Sequence, residues 1–223
     1  AYVIWQHVAM FEIGKAEELS LINYTNIYPT DIETMTQTIE SGSYDLTSVN
    51  RQDEQGFPAI AYLIYGIRSS DQSIVDFYLQ ETASQPYHTY LHDLVERLET
   101  LGGVVLHDWQ NSYRDTFVGN AGSDASSSVN KVVNDYIYYF EKHLRAGKIG
   151  IPAGVFSEAT FPDKVEGRFS GASKVLFNAG LEAMQNFFNG KHYNSNLNVE
   201  GKSLRAYLDY LNTIRDGEDL GSL

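Results

Sequence analysis

Apolar residues recur at intervals of three and four along almost the whole chain, and this spacing constrains the fold more than any other feature. In the segment 86–101 the apolar face is Tyr87, Leu91, Leu94, Val95, Leu98 and Leu101. In the segment 129–146 the stripe is Val132, Val133, Tyr136, Ile137, Phe140 and Leu144. No hairpin signal such as Asn-Gly joins two alternating apolar runs. We therefore predict an all-α protein of one or two helical bundles with at most trivial β content.

Glycine and proline divide this pattern into separate helices. The predicted helices cover residues 2–12, 15–27, 31–41, 54–66, 71–79, 86–101, 104–117, 129–146, 171–189 and 201–214. Gly102-Gly103 is expected to break or kink the longest apolar stripe. The small, polar segment 119–128 is the best linker candidate. We therefore predict an N-terminal helical bundle portion over residues 1–118 and a C-terminal one over residues 119–223.

Composition excludes several functional classes. The chain has 223 residues, of which 43% are hydrophobic, so it is long enough for a sizeable core. Its net charge of −13 argues against nucleic acid and anionic lipid as partners, because both require a basic surface. The absence of cysteine excludes disulfides, zinc–thiolate sites and thiol catalysis. No apolar run reaches the roughly 18 residues that a membrane span requires, and no signal peptide is recognisable.

The segment 147–156 interrupts the helical pattern and is nevertheless apolar. It contains three glycines and Pro152, none of which continues a helix cheaply. Its large apolar residues are Ile149, Ile151, Val155 and Phe156. Because a solvent-facing linker is not expected to be so apolar, we predict that this loop is ordered and largely buried. Ordered loops on a helical scaffold often carry function, so the loop is a candidate binding segment.

Three residues on one helical face could hold a metal ion. His88, His92 and Glu96 lie at i, i+4 and i+8 of the predicted helix. Two histidines at i and i+4 can bind zinc, but no further ligand is evident. The set lies beside the apolar stripe, toward solvent, which favours a solvated structural role over a metal site.

Glu12 is an unusual charged residue because it shares an apolar helical face with Trp5 and Val8. A carboxylate on such a face is either paired or has a perturbed pKa. Arg145 and Lys148 are candidate partners. Both also lie near a predicted helix C-terminus, where a cation interacts favourably with the helix dipole, and we favour that role slightly.

Several segments resemble the imelysin-like family, in the family's order. Trp5-Gln-His-Val-Ala-Met-Phe-Glu-Ile-Gly14 is similar to the family's opening Trp…Glu-x-Phe/Ile-x-Gly element, and Ile22-Asn23 with Tyr28-Pro29-Thr-Asp31 is similar to the element that follows it. Gln55-Gly-Phe-Pro-Ala-Ile-Ala-Tyr-Leu-Ile-Tyr-Gly66 resembles the family's Gly-Phe-x-Ala-Ile-x-Tyr-Leu-Leu-Tyr/Trp-Gly helix. Leu144-Arg-Ala-Gly-Lys-Ile-Gly-Ile-Pro-Ala-Gly154 is similar to a segment of the branch from Bacteroides-type bacteria.

The resemblance implies a fold and a cellular location. Family members are built as two facing helical bundles with a cleft between them. They are typically periplasmic or cell-surface lipoproteins, and some are iron-regulated. Their chains are longer at both ends, so we expect this fold to be incomplete at both ends and a lipid anchor to belong to a longer precursor.

The family's proposed metallopeptidase motif, Gly-x-His-x-x-Glu, is only partly matched. Gly56 is present, but the His position is Pro58 and the Glu position is Ala61. Proline and alanine can neither bind zinc nor transfer a proton. The peptidase assignment therefore does not carry over through this motif, and no catalytic residue or cofactor is predicted.

We accordingly expect an imelysin-like extracytoplasmic binding or interaction protein. Its partner would be a small molecule, a peptide or a surface protein. The expected site is a cleft where the helix 56–66 meets the loop 147–156, and its candidate lining residues are Glu12, Phe57, Pro58, Ala61, Tyr65 and Arg145. The alternative is a metal-dependent peptidase or iron-handling protein with ligands elsewhere. Three converging His, Asp or Glu side chains would favour that alternative.

Overall fold

The structure, a computed structural model, describes residues 1–193, 201–211, 214–215 and 218–219, the last four by their backbone alone. It confirms the all-α prediction. The α-helices are α1 Tyr2–Trp5, α2 Lys15–Leu19, α3 Leu21–Thr25, α4 Ile32–Ser41, α5 Gly56–Tyr65, α6 Asp71–Gln80, α7 Gln85–Asp108, α8 Arg114–Gly119, α9 Ser128–Tyr138, α10 Ser173–Phe188 and α11 Leu204–Leu211.

Segments of 3₁₀-helix and π-helix lie between these α-helices. Short 3₁₀-helices lie at Val49–Glu54, Thr82–Ser84 and Pro162–Lys164. Two π-helical segments, in which the hydrogen bonds span five residues, lie at Trp109–Tyr113 and Tyr139–Gly150. The described β content is one antiparallel pair of two-residue strands, β1 Ile214–Arg215 and β2 Glu218–Asp219.

Helices α4, α5, α6 and α7 enclose the main hydrophobic core. Its buried residues are Met35, Ile39, Ala59, Leu63, Ile67, Ile74, Phe77, Tyr90 and Leu94. Tyr90 also donates a hydrogen bond of 2.9 Å to the carbonyl oxygen of Glu54, which ties the 3₁₀-helix Val49–Glu54 to this core. The apolar spacing of each helix therefore places one side in the core and leaves the other for solvent.

Side-chain caps fix where the core helices begin. The Asp31 carboxylate accepts from the backbone N–H of Thr34 at 3.0 Å and caps α4. Ser70 and Ser73 form a capping box at the start of α6. Pro86 lies in the first turn of α7, where its missing N–H leaves no helical hydrogen bond unmade.

The predicted break at Gly102-Gly103 is wrong. Helix α7 passes through both glycines to Asp108 and continues through the π-helical turn and α8 to Gly119. Both glycines are exposed, and no atom lies within 4 Å of where their Cβ atoms would be. A glycine in an exposed helix interior costs only about 1 kcal/mol, which the rest of a long helix offsets.

The chain divides into two compact units. One consists of Phe11–Ser173, and the other of Ala1–Met10 with Lys174–Leu223. The second unit buries Leu176, Ala179, Ala183 and Met184 of α10. The boundaries of these units do not coincide with the predicted boundary between residues 118 and 119. The predicted division into two helical bundle portions stays a prediction. Among the described residues, none of the helices combines the length and the apolar character that a membrane span requires.

Candidate functional site

The two positions of the degenerate peptidase motif lie inside the protein. Pro58 and Ala61 of α5 are buried, and Gly56 begins that helix with φ +78°. Phe57 is half-buried, whereas Tyr65 at the end of the helix is exposed. The predicted lining residues of this helix therefore differ widely in their access to solvent.

Glu12 is half-buried in the segment between α1 and α2, and its side chain caps the first turn of α3. Its carboxylate accepts from the backbone N–H of Ile22 at 3.2 Å. Burial raises the pKa of Glu12 to about 7, and the nearby charge of Asp135 contributes in the same direction. The pKa of Asp135 is itself raised to about 6, first by burial. Glu12 thus has a perturbed pKa, but the helical face that it was predicted to share with Trp5 and Val8 is wrong. The helix α1 ends at Trp5, and burial of Glu12 outside any helix causes the shift.

Neither cation considered as a partner of Glu12 pairs with it through the ion pairs described. Arg145 is exposed, and its Nη2 lies 2.5 Å from Glu141 Oε2, one helical turn earlier. Its guanidinium also lies 6.0 Å from the ring centre of Phe156. Lys148 pairs with Glu166 instead. Glu12 contacts Ile22, whereas Arg145 contacts Glu141 and Phe156, so a cleft that both residues line stays a prediction.

The predicted burial of the loop 147–156 is wrong for most of its large side chains. The exposed fractions are 45% for Ile149, 40% for Ile151, 65% for Val155 and 58% for Phe156. The expectation failed because apolar atoms make up more than half of a typical protein surface, so apolar content alone does not require burial. Hereafter the apolar loop means residues 149–161.

The backbone of the apolar loop is nevertheless well organised. Val155 N–H donates to the carbonyl oxygen of Gly150 at 2.8 Å, and Phe161 N–H donates to that of Pro152 at 2.9 Å. A Cβ on Gly150 would lie 2.6 Å from Cε2 of Phe156, so glycine permits that ring to pack on the backbone. The loop therefore presents apolar side chains from a backbone that is held by its own hydrogen bonds.

A buried ion pair joins the two ends of this loop. Lys148 Nζ donates to Glu166 Oε2, and the two side chains are 3% and 1% exposed. Asn26 Nδ2 donates to the other carboxylate oxygen of Glu166 at 2.8 Å. Burial lowers the pKa of Lys148, while the adjoining carboxylate favours its charged form. The pair therefore connects both ends of the apolar loop to the segment that follows α3.

The ring of Tyr28 lies beside the buried ion pair, and His143 is close enough to feel the charge of Lys148. The ring centre of Tyr28 lies 5.9 Å from Lys148 Nζ, and burial raises the pKa of Tyr28. His143 stacks on Tyr139 with 5.7 Å between ring centres. Burial, followed by the charges of Lys148 and Lys142, lowers the pKa of His143 to about 4, so its ring is neutral at neutral pH. The surroundings thus favour a fixed, dry anchor over an exposed acid–base group.

Sequence reasoning missed this anchor, although one signal for it was present. Lys148 follows Leu144 by four positions and so continues the apolar stripe of the helix. A charged residue on such a stripe needs a partner of opposite charge. The identity of that partner, Glu166, depends on how the chain returns after the loop, and the helical pattern carries no information on that return.

One group of side chains satisfies the distance criterion for a metal site in the described part of the chain. The ligand atoms of His92, Asp93 and Glu96 on α7 all lie within 4.8 Å of one another. His92 and Glu96 are exposed, and Asp93 Oδ2 accepts from the Tyr44 hydroxyl at 2.6 Å. His88 instead contacts the Tyr78 carbonyl oxygen through Nε2 at 3.1 Å. Of the three candidate ligands considered from the sequence, His92 and Glu96 belong to this group, and Asp93 takes the place of His88.

Comparison with protein-family models identifies the family of this helical chain. The family model described as Imelysin (Peptidase_M75) matches residues 1–211. The chain belongs to the imelysin family. Neither the comparison with curated proteins nor that with solved structures gives a match, so the residue roles in this imelysin-family chain rest on its own geometry.

Proposed function

We propose that this imelysin-family chain is a binding protein of the periplasm or cell surface that engages an apolar segment of a partner protein through the apolar loop. One observation carries the proposal: Ile149, Ile151, Val155 and Phe156 are exposed on a loop whose ends meet at the buried ion pair. Contiguous exposed apolar patches are typical of interaction surfaces, and we infer that these four neighbouring side chains form one. A preorganised loop also loses little conformational entropy when it binds.

The same proposal excludes metal-dependent peptide hydrolysis at positions 56–61. A metal peptidase needs an open metal site, usually with three protein ligands, and a group that activates its water. Pro58 and Ala61 are buried and offer neither ligand nor base. The resemblance supports the scaffold and the extracytoplasmic location, and the sequence at these two positions supports the loss of the motif's chemistry.

Site-specific photo-crosslinking in the source cells tests the binding role. A photoreactive phenylalanine analogue at Phe156 is expected to give discrete covalent adducts with a partner protein. The matched control carries the analogue at Leu79, which is 77% exposed and lies on α6, away from the apolar loop. Adducts from position 156 alone support the proposal. Equal adducts from both positions, or none from position 156, contradict it.

The second candidate is a metal-dependent function, and the His92–Asp93–Glu96 group favours it. Imidazole and carboxylate groups are suitable ligands for zinc and for iron. Metal content after mild purification, and proteolysis with and without chelator, separate the two candidates. Stoichiometric metal that is lost in His92→Ala, together with chelator-sensitive cleavage, would establish the alternative. Metal-free protein without such cleavage supports the binding role.

A further inference from the structure

A polar cleft lies between α4 and the 3₁₀-helix Val49–Glu54, apart from the apolar loop. Its volume of about 470 Å³ is within the range of small-molecule sites, roughly 300–1,000 Å³. Hydroxyl and amide side chains dominate its lining, among them Gln37, Thr38, Ser41, Ser48 and Asn50. Among the described residues that line it there is no aromatic ring, so its chemistry does not suit a nucleobase or an apolar ligand.

Backbone and side-chain hydrogen bonds hold the two walls of the polar cleft together. Asp31 N–H donates to the carbonyl oxygen of Asp53 at 3.0 Å, which joins the start of α4 to the 3₁₀-helix. Gln55 Nε2 donates to the carbonyl oxygens of Leu46 and Arg51, at 3.0 and 2.9 Å. The cleft is therefore formed before any ligand arrives, which limits the entropic cost of binding.

The charges in the polar cleft cancel each other. Arg51 and Glu54 are the charged residues of its lining, and Arg51 Nη1 lies 2.9 Å from Glu54 Oε2. The Glu54 side chain is 1% exposed, so it remains a fixed counter-charge beside the guanidinium. The negative charge of Glu54 would repel an anionic ligand, and the positive charge of Arg51 would repel a cationic one. The cleft therefore favours a neutral ligand.

Several hydrogen-bonding groups of the polar cleft remain for a ligand. The bonds that Arg51 makes within the described part of the chain, to Thr38 and Glu54, leave from Nη1, so Nε and Nη2 remain as donors. The side-chain amides of Gln37 and Asn50 are exposed, and the bond described for Asn50 involves its backbone N–H. Amide and guanidinium groups together both donate to and accept from adjacent hydroxyls.

From these observations we propose that the polar cleft binds a neutral, hydroxyl-rich ligand of the size of a mono- or disaccharide. Arg51 and the amides of Gln37 and Asn50 supply the directional contacts, and Thr38 holds the guanidinium in place together with Glu54. This site is independent of the apolar loop.

Ligand-observed NMR on the full chain tests the proposal, with D-glucose, D-mannose, D-galactose and N-acetyl-D-glucosamine as probes. At least one sugar is expected to bind. The double variant Gln37→Ala/Asn50→Ala is expected to weaken that binding about tenfold or more, because two hydrogen-bonding groups are lost. Both residues are exposed, so the variant is expected to fold, and circular dichroism verifies this.

The matched control is Gln110→Ala/Asn134→Ala, which removes two exposed amides outside the polar cleft and should leave sugar binding unchanged. A Phe156→Ser variant should also bind the sugar normally, so failure of the apolar-loop proposal and failure of this one are distinguishable. Three results overturn the sugar site: none of the four sugars binds, the control pair weakens binding equally, or inorganic phosphate displaces the sugar.

Discussion

At the scale of single residues, the buried ion pair Lys148–Glu166 makes stability sensitive to substitution of either partner. Both charges are withdrawn from water, and their mutual attraction offsets a desolvation penalty of several kcal/mol per ion. Asn26 satisfies the second carboxylate oxygen of Glu166. Removal of one partner therefore strands the other charge, whereas removal of both does not.

Lys148→Met is expected to lower the free energy of unfolding by about 3–5 kcal/mol, because Glu166 would be left buried without its counter-charge. Lys148→Met/Glu166→Leu should lose less than the single variant. Urea titrations monitored by circular dichroism give these values.

The control for this pair is Lys15→Met, which breaks an exposed pair with Glu18 and should leave stability nearly unchanged. A Lys148→Met variant that is as stable as this control would contradict the proposed anchor.

Glu12 is expected to make stability depend on pH. Its pKa is raised in the folded protein to about 7, so the folded state retains a proton that the unfolded chain has already lost near the ordinary value of 4.5. The stabilisation is complete below about pH 4.5 and disappears as the pH rises through 7. It amounts to about 1–2 kcal/mol, less than the full shift because the side chain keeps some contact with water.

The Glu12→Gln variant lacks this contribution. As the pH rises from 5 to 8, the stability of the variant should therefore fall less than that of the natural chain. Urea midpoints across this range measure the difference. Parallel pH profiles for the two proteins would show that Glu12 does not titrate as described.

At the scale of elements, periodicity predicted most helices but not the backbone of every segment. The predicted helix 2–12 ends at Trp5, and the predicted helix 15–27 is two short helices that meet at Ser20, where φ is 51°.

The stripe of the segment 129–146 placed Ile137 and Phe140 inside, yet these are 55% and 40% exposed. From Tyr139 onward the π-helical segment rotates each residue less than an α-helix does, so Tyr139, Leu144 and Lys148 form the buried side and Phe140 turns outward. A period of 3.6 residues could not anticipate that change. Ile137 lies in α9, before this segment, and nothing in the structure explains its exposure.

Ile151→Asp is expected to change the free energy of unfolding by no more than about 0.5 kcal/mol, because the side chain is 40% exposed. The Leu144 side chain is 1% exposed, so Leu144→Ala should lower the free energy of unfolding by about 2–5 kcal/mol. Thermal and urea unfolding of both variants decides the matter. A loss of several kcal/mol in Ile151→Asp would restore the burial that the sequence predicted.

Gly103→Ala is expected to stabilise the protein by up to about 1 kcal/mol, since the residue is exposed, helical and free of close neighbours. Gly56→Ala should destabilise it, because φ is +78° there and a Cβ would collide with the Thr25 carbonyl group. The melting temperatures of the two variants should therefore move in opposite directions. A loss of stability in Gly103→Ala would show that the long helix needs glycine at this point.

At the scale of the whole molecule, the sequence predicts the fold class better than the site. Repeated apolar spacing is a local property, and it determines helices such as α4, α6 and α7. The pairing of Lys148 with Glu166 and of Arg51 with Glu54 depends on how distant or kinked segments meet. A shared cleft for Glu12 and Arg145 likewise requires tertiary information that helical periodicity does not carry, and it stays a prediction.

The net charge of −13 predicts that salt stabilises the whole molecule. Raising NaCl from about 10 mM to about 150 mM shortens the Debye length from roughly 30 to roughly 8 Å and screens the mutual repulsion of acidic side chains. Calorimetry should show a higher melting temperature at the higher concentration, and KCl should act equally. A lower melting temperature in both salts would indicate that favourable ion pairs dominate instead.

The closed ends of the apolar loop make this part of the chain a natural place for grafting. Because Lys148 and Glu166 meet in the interior, we expect that the exposed residues between them can be exchanged, or the segment lengthened, without breaking this pair. Doubling the length of a flexible loop costs only about 0.6 kcal/mol in closure entropy. Related chains could therefore acquire new partners by changing this insert alone, and a designer could display a foreign peptide there.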